Sequence, residues 1–374
     1  MNKKIFGLAI VCGGVMLTCF TCSLTYFVTK KTKIYDAFHA AKNTPIIAHR
    51  GYASQYMANT TEAFLAAATS KLFNGIETDI WFTKPDDTQA NDTVFVFGEK
   101  YEFQHGVPVI SHDPAPFVNE KRKITEMTWK EIEFKELDAD NKSVPFKNKY
   151  RHSFEWNTTA PSKISWSPEL YNRETTTDGT SSRTHQAYVI PTFADYITIC
   201  WFHDMYPFIE IKQNSLDLKD KDNGFEENGI VLLSNDQLQD LPKLISEFPI
   251  QSLDSKTPST FLSRCNFISF RHQYLDAIKN YVSTIQSQED KPYYQILVSP
   301  LDSISKCYKL IDEGYSLSLM QAMIDEKIIS YSHARHLMIC GWTFDVIDNA
   351  LTWSLYDVMG LDAITTDAEL YLIS

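Results

Sequence analysis

The chain has 374 residues, of which 44% are hydrophobic and 22% charged, with 13 glycines and 15 prolines. This is globular composition, which excludes collagen-like, low-complexity and disordered classes. Its 47 acidic side chains against 35 basic ones leave a net charge of −12. No dense basic block interrupts the body, so no nucleic-acid partner is expected.

The first element is apolar. Residues 5–29 carry no charge and lie between Lys3 and Lys4 on one side and Lys30, Lys31 and Lys33 on the other. As a helix they would span about 37 Å, enough for a hydrocarbon core of about 30 Å. A cleavable signal peptide would have a shorter apolar region and a small-x-small site, and Met16-Leu17-Thr18 before Cys19 is a poor lipid-attachment signal. Residues 1–33 are therefore expected to form one uncleaved transmembrane anchor, with a signal peptide as the alternative. That places the protein at a membrane, or makes it secreted or periplasmic if the segment is cleaved. Lysines at both ends leave the orientation open. Cys12 and Cys22 also lie in this segment, while Cys200, Cys265, Cys307 and Cys340 are far apart with no Cys-x-x-Cys pair. Buried free thiols are expected, not a zinc site or disulfide scaffold.

Residues 34–374 read as one domain. Strand patterns fall at 45–48, 75–82, 107–111, 208–211, 266–270, 294–298, 337–343 and 362–365. Helical patterns fall at 59–70, 125–137, 192–201, 236–247, 303–313 and 349–358. Asn59 is the expected N-cap of the first helix, with Glu62 three residues on. Strands alternating with helices predict a parallel sheet covered by helices, and about eight strands predict a (β/α)8 TIM barrel. Two polar, turn-rich stretches, at about 84–106 and 141–187, read as insertions in it, the first with a hairpin through 94–97.

Polar residues gather where the expected strands end, which is where barrel enzymes place their sites. His49-Arg50-Gly51 follows the first strand, and Glu77 and Asp79 lie two apart near the end of the second, on one side of it. His112-Asp113 follows the third, and Glu210 with Lys212 closes the fourth. Glu77, Asp79 and Glu210 suit a hard cation, Mg²⁺ or Ca²⁺. His49 and His112 suit proton transfer near neutral pH, and Arg50 and Lys212 suit an anion, phosphate above all. Asp113 either orients His112 or caps a helix. Phe270 and Trp342, at strand ends, either line a choline or acyl pocket or serve packing.

The ordered set Ala48-His49-Arg50-Gly51, Asn59-Thr60 with Ala63-Phe64, Glu77-Thr78-Asp79, Ser111-His112-Asp113 and Glu210-Ile211-Lys212 resembles the glycerophosphodiester phosphodiesterase family. Ser269-Phe270, Trp342-Thr343 and the stretch from Gly360 to Asp367 extend the resemblance to the C-terminus. It implies a barrel of this type with a divalent metal on Glu77, Asp79 and Glu210, His49 and His112 as the acid/base pair, and Arg50 and Lys212 on the phosphate. The implied reaction splits glycerophosphocholine- or glycerophosphoethanolamine-type diesters into sn-glycerol 3-phosphate and an alcohol, through a cyclic phosphate or by direct attack of water. The alternatives are a lysophospholipase D acting on membrane lysophospholipids and a non-catalytic binding protein on the same fold. Two departures stand out: Ala58 occupies the position where the family usually has Glu, and Lys84-Pro85-Asp86-Asp87 with the first insertion replaces an Asp-Gly turn. Asn59, Asn91 and Asn157 begin Asn-x-Thr triplets and Asn141 an Asn-x-Ser one; Asn59, inside a site motif, is a poor glycan acceptor.

Overall fold

Strands buried on both faces need side chains filling one side and helices covering the other, and the chain meets both needs by closing its sheet into a barrel. The computed structural model describes residues 44–88, 90–96, 99–116, 122–132, 190–212, 233–248, 257–286, 291–344 and 359–367. The expected anchor, the second insertion and the helix expected at 349–358 lie outside the described residues. Among the described residues no helix is long and apolar enough to cross a membrane.

The elements run β1 (Ile46–Ala48), α1 (Thr61–Ser70), β2 (Gly75–Phe82), β3 (Asp92–Val96), β4 (Glu99–Phe103), β5 (Pro108–Ile110), α2 (Trp129–Ile132), α3 (Phe193–His203), β6 (Tyr206–Ile211), α4 (Asn235–Ser246) and α5 (Pro258–Leu262). There follow β7 (Asn266–Ser269), α6 (His272–Ile285), β8 (Tyr293–Val298), α7 (Ile304–Asp312), β9 (Ser316–Met320), α8 (Glu326–His333), β10 (Ile339–Phe344) and β11 (Ala363–Thr366). The strand order β1-β11-β10-β9-β8-β7-β6-β2, closed by β1 on β2, makes an eight-stranded parallel barrel.

The barrel is the expected one, but two of its strands differ from expectation. The strand expected at 107–111 exists as β5, which pairs antiparallel with the end of β2 and is not a barrel stave. The eighth stave is β9, whose Ser-Leu-Ser-Leu-Met sequence alternates polar and apolar residues where a parallel strand ordinarily reads as an apolar run. Three helices, the short α5 and the longer α6 and α8, also escaped the sequence reading. Arg271 gives α6 no side-chain cap, whereas Asp325 caps α8 through the N–H groups of Lys327 and Ile328. The first insertion forms the β3–β4 hairpin, with Val94, Val96, Tyr101 and Phe103 turned into the core.

Alternation along the staves sends one row of side chains inside. Ile47, Phe208, Ile268, Leu297, Cys340 and Ala363 fill the barrel, and Phe270, Met338 and Trp342 pack against them. On the outside, the β2–β6 seam is closed by α3. There the Tyr196 hydroxyl is inserted between a β2 carbonyl and the β6 N–H that would otherwise meet it. It donates to Ile76 O (2.6 Å) and accepts from Phe208 N (3.0 Å). Cys200, Cys265, Cys307 and Cys340 are buried free thiols, as expected.

Candidate active site

Four adjacent staves, β11, β1, β2 and β6, carry the ionisable groups at their C-terminal ends. After β1 the chain turns tightly, with Arg50 and Gly51 at φ +55° and +81°. A Cβ at Gly51 would lie 2.7 Å from the Ala63 backbone, so only glycine lets this turn rest on the first turn of α1. The turn aims the Arg50 N–H at Glu77 Oε2, 2.9 Å away. His49 Nδ1 lies 2.8 Å from Asp367 Oδ1, just beyond β11, and its Nε2 lies 3.8 Å from Glu77 Oε2.

Glu77 and Asp79 stand on β2, and Glu210 on β6 is the register partner of Asp79. All three are buried, and one carboxylate oxygen from each lies within 4.8 Å of the others. Lys212 Nζ is 2.6 Å from Glu210 Oε1 and 3.0 Å from Asp79 Oδ1, while Arg50 Nε is 3.1 Å from Asp79 Oδ2. His112 arrives from β5, whose following residue, Ser111, donates its N–H to Asp79 O (3.1 Å). Asp113 Oδ1 lies 3.1 Å from His112 Nδ1, which favours its orienting role over helix capping.

Three buried acids facing two fixed cations set the electrostatics. Burial pushes Glu77 up to about 8, with the Asp79 charge adding to the rise. Burial alone would also raise Asp79, but Lys212 and Arg50 together outweigh it and hold the carboxyl below the usual range. Burial works against protonated His49, yet Asp367 and Glu77 together more than offset it and the imidazole is raised. Glu77 Oε1 is buried without a hydrogen-bond partner. An all-oxygen set with one such orphaned oxygen fits a hard divalent cation, and these three residues could hold one.

The expected residues His49, Arg50, Glu77, Asp79, Glu210 and Lys212 therefore meet in one place, with His112 just past the end of β5 beside them. Phe270, just past β7, and Trp342, on β10, lie at the same end of the barrel, with ring centroids 6.1 Å apart, edge to face. Asn59 is not the N-cap of α1. Thr60 is, its side chain accepting from Ala63 N, while Asn59 turns its amide to Asp79 (2.7 Å). Fully buried, it is unsuited to a glycan. Ala58, at the position of the family's usual Glu, is buried beside it. Asp367 is the site residue that the sequence reading passed over. Its signal was its position at the end of the Gly360–Asp367 stretch, just after the last strand.

The sequence model of the family described as "Glycerophosphoryl diester phosphodiesterase family" matches residues 104–369. No curated protein matches the chain. Among solved structures, a protein from Silicibacter pomeroyi assigned as a glycerophosphoryl diester phosphodiesterase is 14% identical, with TM-score 0.51, over 87% of this chain and 90% of that one. The glycerophosphodiester phosphodiesterase of Agrobacterium tumefaciens is 13% identical, with TM-score 0.51, over 87% of this chain and 96% of that one. At this identity the two neighbours bear on the fold alone.

Proposed function

The chain belongs to the glycerophosphoryl diester phosphodiesterase family, and on that premise we propose that it hydrolyses glycerophosphodiesters of the choline or ethanolamine type to sn-glycerol 3-phosphate and the free alcohol. The carrying observation is the buried group Glu77, Asp79 and Glu210, flanked by Arg50, Lys212 and His49. Glu77, Asp79 and Glu210 would hold Ca²⁺ or Mg²⁺, whose charge would polarise the phosphoryl oxygens. Arg50 and Lys212, already turned toward the acids, would bind the phosphate. Asp367 engages His49 Nδ1 and leaves Nε2 on the side of Glu77 as the atom that takes or gives a proton. His112, with its Nδ1 against Asp113, would supply the second proton transfer, so that one histidine deprotonates the nucleophile and the other protonates the leaving alcohol.

A second reading, a lysophospholipase D, is favoured by exposed aliphatic groups on the site's face of the barrel. Leu301, in the loop after β8, and Ile304, at the start of α7, are 75% and 56% exposed. The uncharged stretch at residues 5–29 supports placing the enzyme at a membrane by an N-terminal anchor.

The test uses the full-length protein with glycerophosphocholine and with lysophosphatidylcholine, in Ca²⁺, in Mg²⁺ and in EDTA. Released choline is measured, and Glu77→Ala serves as control. EDTA-sensitive release from glycerophosphocholine supports the main reading, and release from the lysolipid alone replaces it with the second. No release from either, or release by Glu77→Ala at the native rate, overturns both.

A further inference from the structure

The two oxygens of Asp79 keep different company. Oδ2 meets Asn59 Nδ2 at 2.7 Å and Arg50 Nε at 3.1 Å, while Oδ1 faces Lys212 Nζ, which also touches Glu210. Arginine and lysine are long and rotatable, and here both have an anionic substrate to attend to. Asn59 is the partner that cannot move. It is buried, and its own N–H is bound to Arg50 O (2.9 Å). Its backbone sits at φ +58°, a left-handed conformation that asparagine tolerates better than most residues.

An asparagine amide has two orientations, and only one presents its NH2 to a carboxylate, which can only accept. Thr78 selects that orientation. Its hydroxyl, fully buried, donates to Asn59 Oδ1 at 3.2 Å. Thr78 lies between the two acids on β2, but its side chain leaves the opposite face of the strand. The stave that supplies Glu77 and Asp79 thus also carries, on its reverse side, the group that fixes the carboxylate's partner.

We propose that Asn59, its amide oriented by Thr78, is a positioning residue that holds Asp79 Oδ2 aside and turns Oδ1 toward Glu210 and the cation bound there. The inference rests on the metal-dependent reading above and extends it to two residues that touch neither cation nor substrate. Groups behind a metal ligand commonly govern affinity as strongly as they do geometry.

The test titrates Mn²⁺ into the full-length wild-type protein and into Thr78→Val, Thr78→Ser, Asn59→Gly and Glu210→Gln, reading free Mn²⁺ by electron paramagnetic resonance. Glycine keeps the left-handed backbone at position 59, and valine keeps the shape of threonine without its hydroxyl. Thr78→Val and Asn59→Gly are expected to weaken Mn²⁺ binding at least about tenfold, with Thr78→Ser close to wild type. At saturating Mn²⁺ the KM for glycerophosphocholine should stay within about twofold, because the substrate contacts are untouched. Wild-type affinity in Thr78→Val and Asn59→Gly, with Glu210→Gln impaired, overturns the positioning role and leaves the metal site standing. Equal losses in Thr78→Ser and Thr78→Val that follow their melting temperatures also overturn it, because packing then explains them. A wild-type protein that binds no Mn²⁺, or a Glu210→Gln that binds it normally, overturns the metal-dependent reading as well.

Discussion

The barrel mouth has two halves that share a backbone geometry and differ in everything else. The staves β11, β1, β2 and β6 end in Asp367, His49, Glu77 with Asp79, and Glu210 with Lys212, each in contact with another charged group of the set. The staves β7, β8, β9 and β10 turn Ile268 with Phe270, Leu297, Ser318 (in register with Leu297 and Cys340) and Trp342 toward the barrel, none of them ionisable. In the second half, packing alone accounts for the residues. In the first it does not, since three buried acids against two bases carry an electrostatic cost that no packing argument recovers. The charged half is where bonds would change, and the apolar half is where a substrate's alcohol portion would be recognised.

Replacing Glu210 with Ala attacks the charged half directly. Loss of the cation should remove several kcal/mol of transition-state stabilisation, which is a fall of about 10³-fold or more in kcat. The measurement is choline release at saturating substrate, with circular dichroism to show that the barrel persists. Normal turnover would mean that the two halves do not divide the work as argued.

Asp367→Asn comes next. It leaves the shape of the dyad but removes the charge that holds His49 up, and turnover should drop by about 10²-fold, the usual scale of general acid–base help. The sign of the pH effect follows from the same contact. Burial pulls the His49 pKa down and Asp367 raises it. Without Asp367, the limb of the kcat/KM profile that belongs to His49 should move to lower pH. A limb that stays in place would assign it to another group.

The raised Glu77 gives a third effect, about tenfold per pH unit. A proton held up to about pH 8 must leave before a cation can bind. Cation affinity should therefore climb by up to about tenfold per unit as pH rises toward 8, and level off above it. Metal-free protein should show the opposite trend. Its native state holds a proton that the unfolded chain, with an ordinary carboxyl, gives up near 4.5, so this group's contribution to stability is lost as pH rises from there through 8. Metal titrations and thermal melts at pH 6, 7, 8 and 9 read both trends.

The charged half was also the legible half. Carboxylates and histidines at strand ends break the apolar rule of a buried parallel stave, so Glu77, Asp79, Glu210, His49 and His112 stand out without any coordinates. Asp367 did not, because a lone acid after a strand is ordinary until the barrel closes and brings β11 beside β1. Asn59 read as a helix cap because caps favour that residue type, and the cap proved to be its neighbour Thr60. In the apolar half, β9 was lost because its serines give it the alternation of a half-exposed strand. β5 was counted in its place because three apolar residues say nothing of direction. Local pattern marks burial and charge, while pairing and register are set by residues far away in the chain.

The smallest effect tests the apolar half. Phe270→Leu keeps an apolar group of fair size but loses the edge-to-face contact with Trp342, a pair worth about 0.5–1.5 kcal/mol beyond its buried area. Trp342 stays tied to the barrel by its indole N–H, which donates to Ser318 O at 2.9 Å. The loss should therefore remain local and appear as a rise in KM of up to about tenfold with kcat nearly unchanged. It should be larger for a lysolipid than for glycerophosphocholine if this wall meets an acyl chain, and larger for choline than for ethanolamine diesters if it meets the quaternary ammonium. A fall in kcat at constant KM would place Phe270 with the reacting groups and erase the division between the two halves.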